Sequence, residues 1–145
     1  MRRSLLLIPA LLILGLVLAA CSGGAGSSSG EVRTVAVRMS DNMRYDPAEF
    51  DFFVGETVRF EVTNAGAVRH ELFIGDVAAH EEHAAEMAEM GGATMGHDEA
   101  GGVSVEPGAT ETLEYSFEQG GELLAGCHEP GHYEAGMVAD ITVHA

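Results

Sequence analysis

The sequence predicts an all-β protein, an antiparallel β-sandwich that carries one short helical insert. Apolar and polar residues alternate with a period of two in several segments, which is the pattern of strands buried on one face. Short stretches rich in Gly, Pro, Asn and Glu separate these segments, as expected for a sandwich of short strands. A single stretch rich in Ala, Glu and Met departs from the alternation and predicts the insert.

The alternation is clearest in TVRFEVTN, where Val58, Phe60 and Val62 face one way and charged residues face the other. VRTVAVRM and FDFFVG follow the same pattern less cleanly. Two further segments are TLEYSFE, with Leu113, Tyr115 and Phe117 on one side, and MVADITVH, with Met137, Ala139, Ile141 and Val143 on one side.

The insert is predicted as a helix from Val77 to Met90, because Ala, Glu and Met are good helix formers. Four of its residues project from the helix within a stripe of roughly 80°, with the glutamates mainly on the opposite side. These four are His80, His83, Met87 and Met90. The loop that follows carries one more Met and one more His and is expected to be mobile. Six residues of the helix and this loop have imidazole or thioether side chains: His80, His83, Met87, Met90, Met95 and His97.

The N-terminus has the pattern of an export signal. A basic start and an apolar run end in LAAC, and small residues before a cut site are typical of secretory signals. The cysteine resembles a bacterial lipobox, which implies cleavage of residues 1–20 and lipid on Cys21. An uncleaved membrane anchor is the alternative, since the run is nearly long enough to span a bilayer. Both interpretations place the rest outside the cytoplasmic membrane, at the cell surface or in the periplasm.

The mature chain is predicted as a Gly/Ser linker, residues 21–30, and one domain, residues 31–145. The full sequence has 23 acidic residues, seven arginines and no lysine, and Arg2 and Arg3 leave with the signal. This charge disfavours nucleic acid and anionic lipid surfaces as partners. It suits a soluble domain or a basic partner protein.

Cys127 is left as a single thiol if Cys21 carries lipid. Exported proteins usually pair their cysteines, so an unpaired one requires a reason. An inert buried thiol is one alternative. The period-two pattern puts Cys127 on the side of its aliphatic neighbours, and it does the same for His70. Two soft donors are therefore expected to point inward at strand ends.

The segment CHEPGHYEAGM adds two more donors to this pair. Copper sites that cycle between two oxidation states use two His and one Cys in a plane, with a weak axial Met. The chain offers that set in His70, Cys127, His132 and Met137. Zinc gains little from a thioether, and iron–sulfur clusters need more cysteines. The donor set therefore predicts copper.

This segment, together with NAGAVRHELFIGD upstream, resembles the copper-binding segments of cupredoxins, the plastocyanin/azurin family of blue copper proteins. The resemblance covers roughly residues 31–145. It implies a Greek-key β-sandwich with one type 1 copper ion. It further implies that His70, Cys127 and His132 are equatorial ligands and that Met137 is axial.

Two features depart from the family pattern. Plastocyanins and azurins usually have Asn after the first ligand histidine, where it ties the two ligand loops together, and this chain has Glu71. The departure leaves the hydrogen-bond support of the thiolate open. The insert at residues 77–100 is foreign to small plastocyanins, although azurins carry a helical insert at a comparable place.

The first functional hypothesis is one-electron transfer to redox partner proteins by a monomer, and the resemblance implies electron exit through His132. The second is copper handling, in which the six His and Met residues of the insert form a candidate secondary Cu(I) site that takes up or buffers the ion. We refer to these six residues as the His/Met stripe. A face packed on the sandwich is the alternative for that stripe. Catalysis is disfavoured because the chain lacks the His-x-His pairs of multicopper enzymes. His128 is expected to be a solvent-facing loop residue.

Overall fold

The computed structural model describes residues 32–89 and 101–145, which form nine strands and one helix. The predicted sandwich with a helical insert is confirmed. In chain order the elements are β1 (Arg33–Ser40), β2 (Arg44–Asp46), β3 (Glu49–Phe53), β4 (Thr57–Asn64), β5 (His70–Gly75), α1 (Val77–Glu89), β6 (Gly102–Val105), β7 (Thr110–Ser116), β8 (Gly121–Gly126) and β9 (Val138–His144).

The strands form two sheets, one of four strands in the order β2-β1-β4-β7 and one of five in the order β3-β9-β8-β5-β6. Most pairs are antiparallel, but β1 pairs with β4 and β3 pairs with β9 in parallel. Alternation has the same period in both directions, so it predicts a strand without its direction. The sequence reasoning did not single out β2 and β6, whose three and four residues are too few for a clear period.

Aromatic side chains fill the space between the sheets. Phe52 of β3 is fully buried, stacks on Phe117 with ring centroids 4.4 Å apart, and meets Phe60 edge-on at 5.7 Å. The inward residues predicted for β4 are all buried, at 2% exposure or less. Offset-stacked and edge-on pairs are the arrangements that aromatic rings prefer, so this cluster gives the sandwich a well-packed centre.

Asp76 directly precedes helix α1, and its carboxylate accepts a hydrogen bond from the amide of Ala79 at 2.8 Å. Such an N-cap satisfies one of the amides that the first turn leaves unpaired. The helix buries His80, His83 and Met87 against the sandwich. The predicted stripe is therefore a packed face over its described part, and Met90, Met95 and His97 lie outside the described residues.

Neither of the described ranges contains a helix with the length and apolar character needed to cross a membrane. The predicted signal peptide, Cys21 and the Gly/Ser linker all lie outside those ranges.

Replacing Phe52 with Ala is expected to lower the free energy of unfolding by about 3–5 kcal/mol, the usual cost of a large buried ring. Phe53, the next residue, is 56% exposed, so Phe53→Ala is the matched control and is expected to cost about 0.5 kcal/mol. Urea denaturation of both variants measures the difference. Equal losses would contradict the placement of the core.

Candidate metal centre

Three neighbouring strands of the five-stranded sheet bring the predicted ligands to one edge. His70 begins β5, Cys127 follows directly after β8, and Met137 directly precedes β9. In the sheet, β8 lies between β5 and β9 and is antiparallel to both. The start of β5, the end of β8 and the start of β9 therefore lie side by side.

The donor atoms of three residues converge at this edge. Nδ1 of His70 and Nδ1 of His132 are 3.2 Å apart, and Sγ of Cys127 is 3.3 Å from the same nitrogen of His132. One ligand atom from each of the three lies within 4.8 Å of the others. His70 and Cys127 are fully buried, whereas His132 is partly exposed. A thiol and two imidazoles arranged in this way fit a copper ion.

The loop between β8 and β9, residues 127–137, is held closed by backbone hydrogen bonds. The amide of His132 donates to the carbonyl of Glu129 at 3.0 Å, across the predicted Pro-Gly turn. Gly131 in that turn has φ +83, a conformation that favours glycine. We refer to residues 127–137 as the copper loop.

Met137 is tied to both other predicted ligands of the copper loop. Its amide donates to the carbonyl of His132 at 3.0 Å, and its carbonyl accepts from the amide of Cys127 at 3.2 Å. Met137 is fully buried. The structure thus places it at the same edge as the other three predicted residues.

Asp41 orients the first histidine, and the sequence analysis missed it. Nε2 of His70 donates to Asp41 Oδ1 at 3.2 Å, which leaves Nδ1 unprotonated and facing His132. The Asp41 carboxylate also accepts the amide of Ala67 at 2.8 Å, and this bond is the main cause of its lowered pKa. A carboxylate behind a ligating histidine is a common support. No sequence signal connects Asp41 with His70, because folding alone brings their loops together.

The profile of the copper-binding proteins of the plastocyanin/azurin family matches residues 32–144. The chain belongs to this family. Its segments 57–64 and 127–137, quoted above for the strands and the copper loop, both lie within the match.

Two relatives in bacteria carry the name copper-resistant cuproprotein CopI. The protein of Rubrivivax gelatinosus is 41% identical over 121 residues, which cover 83% of this chain and 72% of the relative. That of Pseudomonas aeruginosa is 33% identical over 175 aligned positions, which cover 94% of this chain and 96% of the relative.

A solved structure, dithionite-reduced auracyanin from the photosynthetic bacterium Roseiflexus castenholzii, is similar with a TM-score of 0.67 and 25% identity. The match covers 80% of this chain and all of the auracyanin. The cupredoxin fold implied by the sequence resemblance is therefore confirmed.

Glu71, the departure from the cupredoxin pattern, links the two ligand-bearing segments. Its amide donates to Sγ of Cys127 at 3.3 Å, and its Oε2 accepts the amide of His128 at 3.1 Å. Its Oε1 accepts Nε2 of His83 on α1 at 2.9 Å, and its carbonyl accepts the hydroxyl of Tyr45 at 2.6 Å. The side chain is 2% exposed. The carboxylate therefore ties strand β5 to the copper loop and also to the helix.

A second link between β5 and the copper loop is an ion pair. Arg69 precedes the first predicted ligand, Glu129 lies in the copper loop, and their side chains form an ion pair with Nε and Oε1 2.5 Å apart. The two side chains are only 20% and 10% exposed. Partly buried ion pairs are less screened by salt than surface pairs, so this pair adds a further connection between β5 and the copper loop.

His128 is not the solvent-facing loop residue that the sequence analysis expected, since it is 9% exposed. It lies in a cluster with two histidines of α1, where its ring nitrogen Nε2 is 2.8 Å from Nδ1 of His80. Tyr133 stacks on it. Burial and the nearby His80 and His83 lower the pKa of His128 to about 4. The expectation was wrong because the helix covers this part of the copper loop.

Replacing Glu71 with Ala is expected to lower the free energy of unfolding of the metal-free protein by about 2–4 kcal/mol. The loss arises because the amide of His128 and Nε2 of His83 are left buried without acceptors. Glu71→Gln is expected to cost less, since its amide oxygen still accepts one of these bonds. Glu81→Ala on the exposed face of α1 is the control, with a change of about 0.5 kcal/mol at most. Denaturation curves that are equal for Glu71→Ala and Glu81→Ala would contradict the link.

Metal binding is expected to release one proton at neutral pH. Burial raises the pKa of the Cys127 thiol from 9.0 to about 12, so the metal-free protein holds this proton, and a metal-bound cysteine has lost it. Copper affinity is therefore expected to rise about tenfold per pH unit between pH 7 and 9. Calorimetry in buffers of different ionisation enthalpy counts the proton, and a count of zero would disprove the expectation.

Proposed function

We propose that the protein is a type 1 copper protein that carries single electrons outside the cytoplasmic membrane. The proposed equatorial ligands are His70, Cys127 and His132, and the proposed axial ligand is Met137. The convergence of Nδ1, Sγ and Nδ1 of the first three within 4.8 Å carries this proposal. A copper ion held by such a set cycles between Cu(I) and Cu(II).

For this function, the protein has to hold the proposed copper ligands rigidly in place. Two of the proposed ligands, His70 and Cys127, are fully buried on neighbouring strands. Asp41 accepts a hydrogen bond from His70, the amide of Glu71 donates to Cys127, and backbone hydrogen bonds hold the copper loop. An electron carrier benefits from ligands that keep their positions in both oxidation states, and a buried, hydrogen-bonded site restricts ligand motion.

His132 is proposed as the point of electron exit, since it is the partly exposed member of the three. Pro130 and Gly131 beside it in the copper loop are exposed, and Val68 before β5 is 45% exposed. These small or apolar residues suit a surface for transient contact with a redox partner. The net charge of −16 favours a basic partner through electrostatic steering.

The proposed lipid anchor at Cys21 is compatible with this exit. Strand β1 starts at Arg33, which pairs with Val58, and its other end reaches Met39, which pairs with Asn64. Asn64 donates a hydrogen bond to the carbonyl of Val68, two residues before His70, so this end of β1 lies near the proposed copper ligands, at what we call the copper edge. A strand of this length spans about 20–25 Å. The N-terminal tether would therefore enter at the end of the sandwich opposite His132, leaving the copper edge free for partners.

The copper(II) protein is expected to be blue, with strong thiolate-to-copper absorption and the narrow copper hyperfine splitting of type 1 sites. Cys127→Ser is expected to remove the colour, because the absorption needs the thiolate. His144→Gln is the control, since His144 is exposed and paired with Asp51. Optical and electron-paramagnetic-resonance spectra decide the matter, and a colourless Cu(II) form of the wild type would end this proposal.

Copper handling is the second candidate function, and two observations favour it. The relatives in Rubrivivax gelatinosus and Pseudomonas aeruginosa are named copper-resistant cuproproteins. In addition, α1 packs His80, His83 and Met87 next to the copper loop. Imidazole and thioether are suitable donors for Cu(I). Under this proposal, the protein buffers Cu(I) or passes it to the type 1 site.

Replacing all six His and Met residues of the candidate secondary site is expected to reduce the number of Cu(I) ions bound while the blue colour remains. Anaerobic titration against a chromophoric Cu(I) chelator measures the number. An unchanged number would remove the copper-handling candidate and leave the electron-transfer proposal intact.

A further inference from the structure

A pair of buried imidazoles lies beside the proposed type 1 site, on the side of the helix. His80 of α1 is 2% exposed and His128 of the copper loop is 9% exposed. The two rings face each other with Nδ1 and Nε2 2.8 Å apart. Phe73 meets the His80 ring edge-on at 5.1 Å, and Tyr133 stacks on the His128 ring at 4.7 Å. Aromatic rings thus enclose two nitrogen donors.

The carbonyl of Leu124 determines where the proton of His80 lies. It accepts a hydrogen bond from Nε2 of His80 at 3.1 Å, so the neutral ring has an unprotonated Nδ1 directed at His128. Metal-binding histidines commonly have this arrangement, with one nitrogen bonded to a carbonyl and the other facing the ion. When the proton of His128 moves from Nε2 to Nδ1, both facing nitrogens offer a lone pair.

His83, the third histidine of the cluster, has a different role. Its Nε2 donates to the carboxylate of Glu71 at 2.9 Å, and its ring stacks on Phe73 with centroids 4.1 Å apart and planes 7° from parallel. These two contacts hold the ring in place. The structure therefore divides the two histidines of the helix into His83, which is held by Glu71, and His80, whose unprotonated nitrogen faces His128.

We propose that His80 Nδ1 and His128 Nε2 bind a second copper ion, as Cu(I), next to the type 1 site. This inference deepens the copper-handling function proposed above and rests on it. Cu(I) forms stable complexes with two imidazole nitrogens, whereas zinc sites use three or four protein ligands. A buried two-histidine site therefore favours Cu(I).

Binding requires the two nitrogens to move apart. With metal–nitrogen bonds of about 2.0 Å, the present gap of 2.8 Å would force a sharply bent arrangement, whereas two-coordinate Cu(I) binds its ligands in a near-linear one. A cavity of about 190 Å³ adjoins His128 and is lined by Ala84, Met87 and Pro130. The His128 ring has room to shift into this cavity, and Met87 brings a thioether, a soft donor that suits Cu(I), to the same space.

The second site includes the residue next to Cys127, which connects it with the type 1 site. His128 is the residue after the thiol ligand, so a single peptide unit links a residue of the second site to a proposed ligand of the first. Under the copper-handling proposal, a Cu(I) ion captured by the helix and the copper loop would be held by a residue adjacent in sequence to a type 1 ligand.

The test is an anaerobic titration of the metal-free full-length protein with Cu(I) against a chromophoric chelator. His80→Gln and His128→Gln are each expected to bind one Cu(I) ion fewer than the wild type. His144→Gln, which alters an exposed histidine that is paired with Asp51, is expected to bind the wild-type number. The two substitutions are matched in chemistry, and His80→Gln leaves the copper loop itself unchanged.

Each protein is then loaded with Cu(II), and retained blue colour shows that the fold and the type 1 site are intact. A wild type that binds a single Cu(I), or His80→Gln and His128→Gln variants that bind as many as the wild type, would overturn the second site. A wild type without blue colour would instead overturn the type 1 proposal, and the Cu(I) count of the His80→Gln variant would still test the second site.

Discussion

The order of β5, β8 and β9 in one sheet is the constraint on which the rest of this structure depends. His70 lies far from Cys127 in the sequence, and a loop separates Cys127 from Met137. In the sheet, however, His70 starts β5, Cys127 follows β8 and Met137 precedes β9, and β8 lies between the other two strands. The backbone ladder between these strands sets their spacing, because neighbouring strands lie about 4.8 Å apart. The sheet thus places the donors before any metal binds, and the buried aromatic core behind it keeps the sheet in position.

Glu71 shows how the family design can change without losing its function of joining the ligand segments. A buried carboxylate is costly unless hydrogen bonds satisfy it. Here its two side-chain oxygens accept bonds from His83 and His128, one on the helix and one on the copper loop. The buried Glu71 therefore depends on the helical insert, since His83 supplies a hydrogen-bond donor that a sandwich without α1 would lack.

The insert makes the surroundings of the cysteine more polar and more enclosed. Three histidines lie against Phe73 and Tyr133, and two of them have ring nitrogens in direct contact. Electron transfer needs none of these imidazoles. Their burial next to the copper loop is the structural reason for linking this cupredoxin with copper handling as well as with electron transfer.

The sequence by itself determined the β-sandwich, the helical insert and three residues that the structure brings together, His70, Cys127 and His132. Period-two alternation reports burial directly, and a set of thiol, imidazole and thioether side chains reports the metal they prefer. Only the tertiary structure decided the parallel pairs, the contact of Asp41 with His70, the bonds of Glu71 and the burial of His128. These depend on contacts between residues that are distant in the sequence, such as Asp41 and His70, 29 positions apart, or Glu71 and His128, 57 positions apart. A local pattern contains no information about such contacts.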